Sequence, residues 1–172
     1  MDREQLRAAQ APLKERYESE PGAGLITLSA EGILGEGVSC SVRTGRALSE
    51  AGLHPATGGD GSQLCSGDML LEALAACAGV TLRAVATSLG IDVGAGRVLA
   101  EGDIDFRGTL AVDREAPVGF SEIRLRFELD AAHLAEEELS TLLKLTERYC
   151  VVFQSLASPP RLEATVSHAG TG

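Results

Sequence analysis

The chain has 172 residues, of which 44% are apolar and 23% charged, and its formal net charge is −10. This length and composition are typical of one globular domain with its own core, built from aliphatic side chains because aromatics make up 3% and Trp is absent. The negative charge argues against nucleic-acid binding, since no basic stripe is present to neutralise phosphates.

Cysteine usage and the N-terminal segment help to predict the cellular compartment of the protein. The segment MDREQLRAAQ is charged where a secretion signal needs an apolar stretch, so we expect a cytoplasmic protein. The four cysteines, Cys40, Cys65, Cys77 and Cys150, would then face reducing conditions, where a disulfide is more often catalytic or redox-sensing than structural. No CxxC occurs and the three histidines are scattered, so we expect neither a metal nor a cofactor.

The first part of the chain predicts a helix followed by a hairpin. Residues 3–18 have a helical apolar period, and 24–31 and 37–44 read as short strands that pair across Gly32–Gly37. Cys40 shares a strand face with apolar neighbours. This position favours the interpretation that its side chain fills the core and takes no part in chemistry.

Residues 45–65 are rich in Gly, Pro and small polar residues and predict a loop. Its stretch Gly58–Gly61 resembles a phosphate cradle only weakly, because it lacks the Lys and the preceding apolar strand of a P-loop. We interpret the loop as delivering the chain to the next helix and covering part of a site. A thiol near a helix N-terminus can be acidified, but we expect Cys65 to have no role.

The central element is a predicted helix over 66–89, SGDMLLEALAACAGVTLRAVATSL, with Ser66 as its N-cap. Its charges Glu72 and Arg83 lie within roughly 20° of each other around the axis, so the rest of the helix is apolar. Such a helix is buried. Cys77 lies about 140° from Glu72 and is therefore expected in the buried sector. The run is marginal in length for a bilayer and carries both charges, so no membrane span is expected.

The second half predicts a mixed series of strands and helices, which with the first half indicates an α+β fold. Alternating apolar and charged residues make 120–129 an antiparallel strand with one solvated face. The predicted elements are strands at 98–110 and 120–129, a helix at 131–149, a short helix at 151–156 and a closing strand at 162–167.

The order of these parts, with Cys77 in LLEALAACAGVTLRAVA and Cys150 in YCVVFQSL, resembles the OsmC/Ohr family of peroxide-detoxifying proteins, and within it the OsmC-like subgroup. The resemblance covers 24–167 and makes 1–172 a single domain with an N-terminal helical extension at 1–20. It implies antiparallel sheets wrapped around the two long central helices, in an intertwined homodimer whose subunits share their sheets and site.

The resemblance also implies an activity. Cys77 matches the cysteine that attacks the peroxide and Cys150 the cysteine that resolves it, so the chain would be a thiol-dependent peroxidase. Its partners would be an organic hydroperoxide as substrate and a dithiol reductant of lipoyl or thioredoxin type. The Pro-Glu pair that the family often has before the helix is Gly67-Asp68 here, and no Arg occurs in 24–39. The resemblance therefore does not identify the group that activates Cys77.

Other functions fit the same residues, since a cysteine in an apolar helix usually fills the core. One alternative is a non-enzymatic dimer that binds a small apolar ligand, and another is a redox sensor whose disulfide changes a surface without turnover. The peroxidase hypothesis requires Cys77 and Cys150 to lie close in space although they are 73 positions apart. Apolar neighbours of Cys77 further predict preference for organic over inorganic hydroperoxide.

Overall fold

A computed structural model describes residues 3–34, 40–43, 51–61 and 64–166, and the statements below concern these residues. They form an α+β domain, in agreement with the predicted class. The α-helices are α1 (Arg3–Ser19), α2 (Ser66–Leu89), α3 (Phe106–Thr109), α4 (Glu136–Tyr149) and α5 (Val151–Ala157). The strands are β1 (Leu25–Leu34), β2 (Cys40–Arg43), β3 (Ala51–Gly52), β4 (Leu64–Cys65), β5 (Gly96–Asp105) and β6 (Phe120–Leu129).

The main sheet has four antiparallel strands in the order β2-β1-β5-β6. The predicted hairpin is confirmed, because Leu34 of β1 lies opposite Cys40 of β2. Strand β1 runs on through the glycine at which we expected the turn to begin, and the connecting residues 35–39 lie outside the described part. Strands β3 and β4, in the stretch predicted as a loop, pair in parallel as a separate two-stranded sheet.

Helix α2 packs against β1 and β5 of the sheet and against α4 and α5 on another side. Its fully buried residues are Leu71, Leu74, Ala75, Ala78, Gly79, Leu82 and Ala86. In β5 the alternate residues Val98 and Ala100 are completely buried, as expected for the inner face of a sheet. Among the described residues, α2 is the helix whose length and composition would allow a membrane crossing, a property that core helices share.

The solvated face of the sheet carries ion pairs between β5 and β6. Arg124 binds Asp103, and Arg126 binds Glu101, with further pairing of Arg97 to Glu128. These contacts explain the charged alternation of β6 that the sequence shows. Exposed pairs of this kind contribute about 0–1 kcal/mol each, so the apolar inner face accounts for most of the stability.

The predicted strand 98–110 is too long, because β5 ends at Asp105. The Asp105 carboxylate accepts the backbone N–H of Arg107 at 3.0 Å and also binds its guanidinium, so the chain turns into the helical segment α3. A side-chain cap of this type competes with strand continuation. Phe106, which falls within the predicted strand, instead lies buried in that helical turn.

Two further predictions near the C-terminus are corrected. Helix α4 begins at Glu136 rather than 131, since residues 131–135 form a turn and the Glu138 carboxylate accepts the Ala135 N–H at 2.9 Å. The closing strand is wrong over its described residues: 162–166 are exposed and outside any sheet, and Ser167 is not described.

The N-terminal helix α1 is docked on the domain. Tyr17 is 2% exposed, and its phenol donates a hydrogen bond to the Ala56 carbonyl at 2.7 Å. Ala56 belongs to a short 3₁₀ helix, Pro55–Thr57, that lies before α2. Gly59 follows this 3₁₀ helix, and a Cβ on it would lie 1.8 Å from the Leu53 carbonyl oxygen, so glycine is required there.

Candidate functional site: a pair of hydrogen-bonded thiols

Cys77 lies in the middle of α2, but its side chain is partly exposed rather than fully buried. The charged residues expected to mark the solvent face are themselves half-buried, and Arg83 reaches the loop after α2, where it donates to the Gly94 carbonyl at 2.8 Å. The exposed positions of α2 include Leu70, Ala73, Val80 and Ala84, and with the partly exposed Cys77 between Ala73 and Val80 they are spaced three or four residues apart. In the single chain, the open face of α2 is therefore apolar and contains Cys77.

Cys150 lies between α4 and α5 and is 0% exposed. Its backbone N–H donates to the Thr146 carbonyl at the end of α4, and its sulfur accepts the Phe153 N–H at 3.5 Å as the N-cap of α5. Helix α5 packs on α2, and the Cys77 and Cys150 thiols interact: the hydrogen bond between them lowers the pKa of Cys77 and raises that of Cys150. The fold thus brings together the two cysteines singled out from the sequence.

The surroundings of Cys77 favour its thiolate. Burial raises the pKa of the Cys77 thiol, but hydrogen bonds outweigh it and bring the pKa below its ordinary value. The donors are the Val152 N–H, the Cys150 S–H, the Thr81 hydroxyl and the Val151 N–H. Among the described residues, none of these four donors is a charged side chain.

The helix that activates Cys77 is not its own. A residue in the middle of a helix gains little from the helix dipole, which acts over the terminal turns. Val151 and Val152 are the first residues of α5, whose backbone N–H groups have no partner within that helix. By directing them at the Cys77 sulfur, the fold gives a mid-helix cysteine the hydrogen bonds available at a helix N-terminus.

Cys150 has the opposite tendency. Burial raises the pKa of its thiol, and its hydrogen bond to Cys77 raises it further, while the Phe153 N–H lowers it; the resulting pKa is about 11. Of the two thiols, Cys77 is therefore the more readily deprotonated, and Cys150 keeps its proton to higher pH. This asymmetry suits a nucleophile at Cys77 and a protonated partner at Cys150.

An apolar groove of about 530 Å³ lies between α2, β6 and α5, and neither Cys77 nor Cys150 lines it. Leu74 lies three residues before Cys77 and Phe153 three residues after Cys150, and both line the groove. Its remaining lining residues are Leu70, Gly119, Phe120, Ser121, Glu122, Ile123, Leu125, Leu156 and Ala157. The neighbour Val151 is 71% exposed, so part of the wall expected around Cys77 is open in the single chain.

The sequence contains two further cysteines, Cys40 and Cys65. Cys65, rather than Ser66 as predicted, is the N-cap of α2; it is partly buried and packs against the core, while the side chain of Cys40 lies outside the described residues. His54 also has a structural position: its ring stacks on Phe106 with centroids 4.9 Å apart, and its Nδ1 accepts the Ala56 N–H. In the described part of the chain, no three His, Cys, Asp or Glu side chains are arranged to hold a metal ion.

Comparison with known families gives the same assignment as the cysteine motifs. A model of the family described as OsmC-like protein matches residues 59–165, a span that contains α2, both thiols and α5. The chain belongs to the OsmC-like family. No curated protein matches it in sequence. The match to the OsmC-like family begins at Gly59, so helix α1 and the β1–β2 hairpin precede the matched region.

Sequence reasoning missed the groups that activate Cys77. Thr81 had a recognisable signal, because residues four apart on a helix are neighbours and a hydroxyl can donate to sulfur. The Val151 and Val152 amides had no recognisable signal in the sequence, since every residue except Pro has a backbone N–H group. Their role depends on how α5 packs against α2, which is a property of the tertiary structure.

Proposed function

We propose that this OsmC-like protein is a thiol peroxidase that reduces organic hydroperoxides, with Cys77 as the nucleophile and Cys150 as the resolving cysteine. The observation that supports it best is the hydrogen-bonded thiol pair in which the pKa of Cys77 is lowered and that of Cys150 is raised. A pair that merely filled the core would not require four hydrogen-bond donors directed at one sulfur.

The reaction proceeds in three steps. The Cys77 thiolate attacks the terminal oxygen of the hydroperoxide, the O–O bond breaks, and Cys77 sulfenic acid and an alcohol form. The Cys150 sulfur then attacks the sulfenic sulfur, which forms a disulfide and releases the oxygen as water. A dithiol of lipoyl or thioredoxin type reduces this disulfide by exchange and is itself oxidised to a disulfide.

The preference for organic substrates rests on the groove beside the thiols. Hydrogen peroxide has no apolar surface to bury there, whereas each buried CH₂ of an alkyl hydroperoxide contributes about 0.8 kcal/mol. Four such groups give roughly 3 kcal/mol, which corresponds to on the order of a hundredfold in kcat/KM if the energy is retained in the transition state.

The proposal includes a cytoplasmic homodimer. A reducing compartment supplies the dithiol and returns the pair to its thiol form after each cycle. A second subunit would cover the apolar face of α2 that contains Cys77 and would close the open side of the site.

The test compares kcat/KM for cumene or tert-butyl hydroperoxide with that for hydrogen peroxide, using a dithiol reductant. We expect the organic substrate to be favoured about a hundredfold. Cys77→Ser should abolish turnover, and Cys150→Ser should be oxidised once and then accumulate sulfenic acid. Cys65→Ser, which removes a thiol outside the pair, is the matched control and should leave kcat/KM unchanged.

Two results would contradict the proposal. Activity that survives in Cys77→Ser would remove the nucleophile from the mechanism, and equal kcat/KM values would remove the apolar selectivity. Oxidation of the pair to a disulfide without catalytic turnover would instead assign the chain to redox sensing.

A further inference from the structure

The proposed peroxidase reaction requires an acid, because the thiolate expels an alkoxide when it breaks the O–O bond. An alkoxide is a base comparable to hydroxide, whose conjugate acid, water, has a pKa of about 15.7. Its release in unprotonated form is slow, so a proton donor close to the reacting sulfur accelerates the step.

We propose that the Cys150 thiol is this acid: its S–H, at the junction of α4 and α5 that packs against α2 and Cys77, transfers its proton to the departing alkoxide. This inference rests on the proposed function. The position of Cys150 is fixed by burial, since it is 0% exposed, and by its hydrogen bond from the Phe153 N–H at 3.5 Å.

Chemistry selects Cys150 among the donors around Cys77. Two of the others are the backbone amides of Val151 and Val152, which do not give up protons under these conditions. The third is the Thr81 hydroxyl, a far weaker acid than a thiol. The Cys150 S–H is therefore the most acidic group in contact with the nucleophile.

The transfer also produces the nucleophile for the next step. In the first step, the Cys77 thiolate, the Cys150 thiol and the hydroperoxide yield Cys77 sulfenic acid, an alcohol and the Cys150 thiolate. In the second, the Cys150 thiolate attacks the Cys77 sulfur and forms the disulfide, and hydroxide leaves. The Phe153 N–H, already bonded to the Cys150 sulfur, stabilises the thiolate formed between the two steps. No separate base is then required to activate the buried resolving cysteine.

Water is the competing proton source, because Cys77 is partly exposed. If water protonates the alkoxide, Cys150 takes part only in forming the disulfide. Its removal then leaves the rate of the first oxidation step as dependent on the acidity of the leaving alcohol as it is in wild type. The two sources therefore differ in how the first step responds to the acidity of the leaving alcohol.

The experiment measures a single oxidation of Cys77 by rapid quench and mass spectrometry in wild type, Cys150→Ala and Cys150→Ser. One oxidant is tert-butyl hydroperoxide, whose alkoxide needs a proton, and the other is a peracid, whose carboxylate leaves without one. The ratio of the two rates cancels any change in the amount or reactivity of the Cys77 thiolate. We expect Cys150→Ala to lower that ratio about a hundredfold, a typical contribution of general acid catalysis.

The outcomes separate this inference from the proposed function. An unchanged ratio in both variants would overturn the acid role while leaving the peroxidase intact. If neither oxidant oxidises Cys77 in wild type, both the acid role of Cys150 and the proposed peroxidase function are overturned. Cys150→Ser preserves a small polar side chain, so the ratio of the two rates can be measured in this variant if Cys150→Ala does not fold. The control Cys65→Ala should retain the wild-type ratio.

Discussion

At the scale of single residues, Cys77 shows how uncharged donors can lower the pKa of a thiol inside an apolar helix. Burial alone raises the pKa of a thiol and leaves it inert, and this would be the expectation from the sequence of α2. The structure adds uncharged donors from two elements, the Thr81 hydroxyl one turn along α2 and the first amides of α5. The sequence singled out Cys77 and Cys150, but it did not indicate the groups that lower the pKa of Cys77.

Thr81 gives a residue-scale prediction. Thr81→Val is nearly isosteric and removes the hydroxyl that donates to the Cys77 sulfur, so the pKa of Cys77 should rise and its thiolate fraction at neutral pH should fall. A hydrogen bond to a charged acceptor is worth about 1.5 kcal/mol, and alkylation of Cys77 at neutral pH should therefore slow by up to about tenfold. The measurement is the pH profile of iodoacetamide labelling at Cys77.

Two matched variants make this prediction specific. Thr81→Ser preserves the hydroxyl and should retain the wild-type profile. Thr87→Val alters an exposed threonine on the same helix and should also have no effect. If Thr81→Val labels with the wild-type profile, the hydroxyl does not stabilise the thiolate.

At the scale of elements, periodicity in the sequence located the long helices and the paired strands. It failed where one side chain redirects the backbone, as at Asp105, which turns β5 into α3, and at Glu138, which fixes the start of α4. It also failed at 162–166, where a strand pattern lacks a partner among the described strands. A strand is defined by pairing, and pairing is not a local property.

Helix α1 gives the element-scale prediction. Tyr17 connects α1 to the 3₁₀ helix that precedes α2, through its hydrogen bond to the Ala56 carbonyl. Tyr17→Phe retains the buried ring and removes this bond, so the free energy of unfolding should fall by about 1 kcal/mol. Chemical denaturation measures the loss. Tyr149→Phe is the control, because Tyr149 is 58% exposed and should tolerate the change; equal effects would show that the buried bond contributes nothing.

At the scale of the whole molecule, the single chain leaves apolar surface uncovered. Besides the open face of α2, a second groove of about 630 Å³ lies between β6 and α4. It is lined by Leu82, Leu125, Arg126, Phe127, Leu129, Asp130, Ala131, Ala132, Leu139, Leu142 and Leu143. Exposed apolar surface of this extent marks interaction sites, and a second copy of the chain is the occupant that the proposed function requires.

The last prediction concerns dimer assembly through the groove between β6 and α4. We expect wild type to be a dimer at micromolar concentration, with an interface beyond about 2,000 Å² in total. Leu143 is 44% exposed in the single chain and lines the groove, so Leu143→Glu should leave the monomer folded. In the dimer the new carboxylate would be buried without a partner, which costs several kcal/mol and should raise the dimer dissociation constant at least about a hundredfold.

Sedimentation equilibrium over a range of concentrations measures this shift, with circular dichroism to establish that the variant is folded. Val118→Glu is the matched control, because Val118 is 65% exposed and does not line the groove. A monomeric wild type would contradict the dimer itself. A dimeric Leu143→Glu beside a dimeric wild type would exclude this groove from the interface and leave the open face of α2, with Cys77 in it, as the surface that the partner covers.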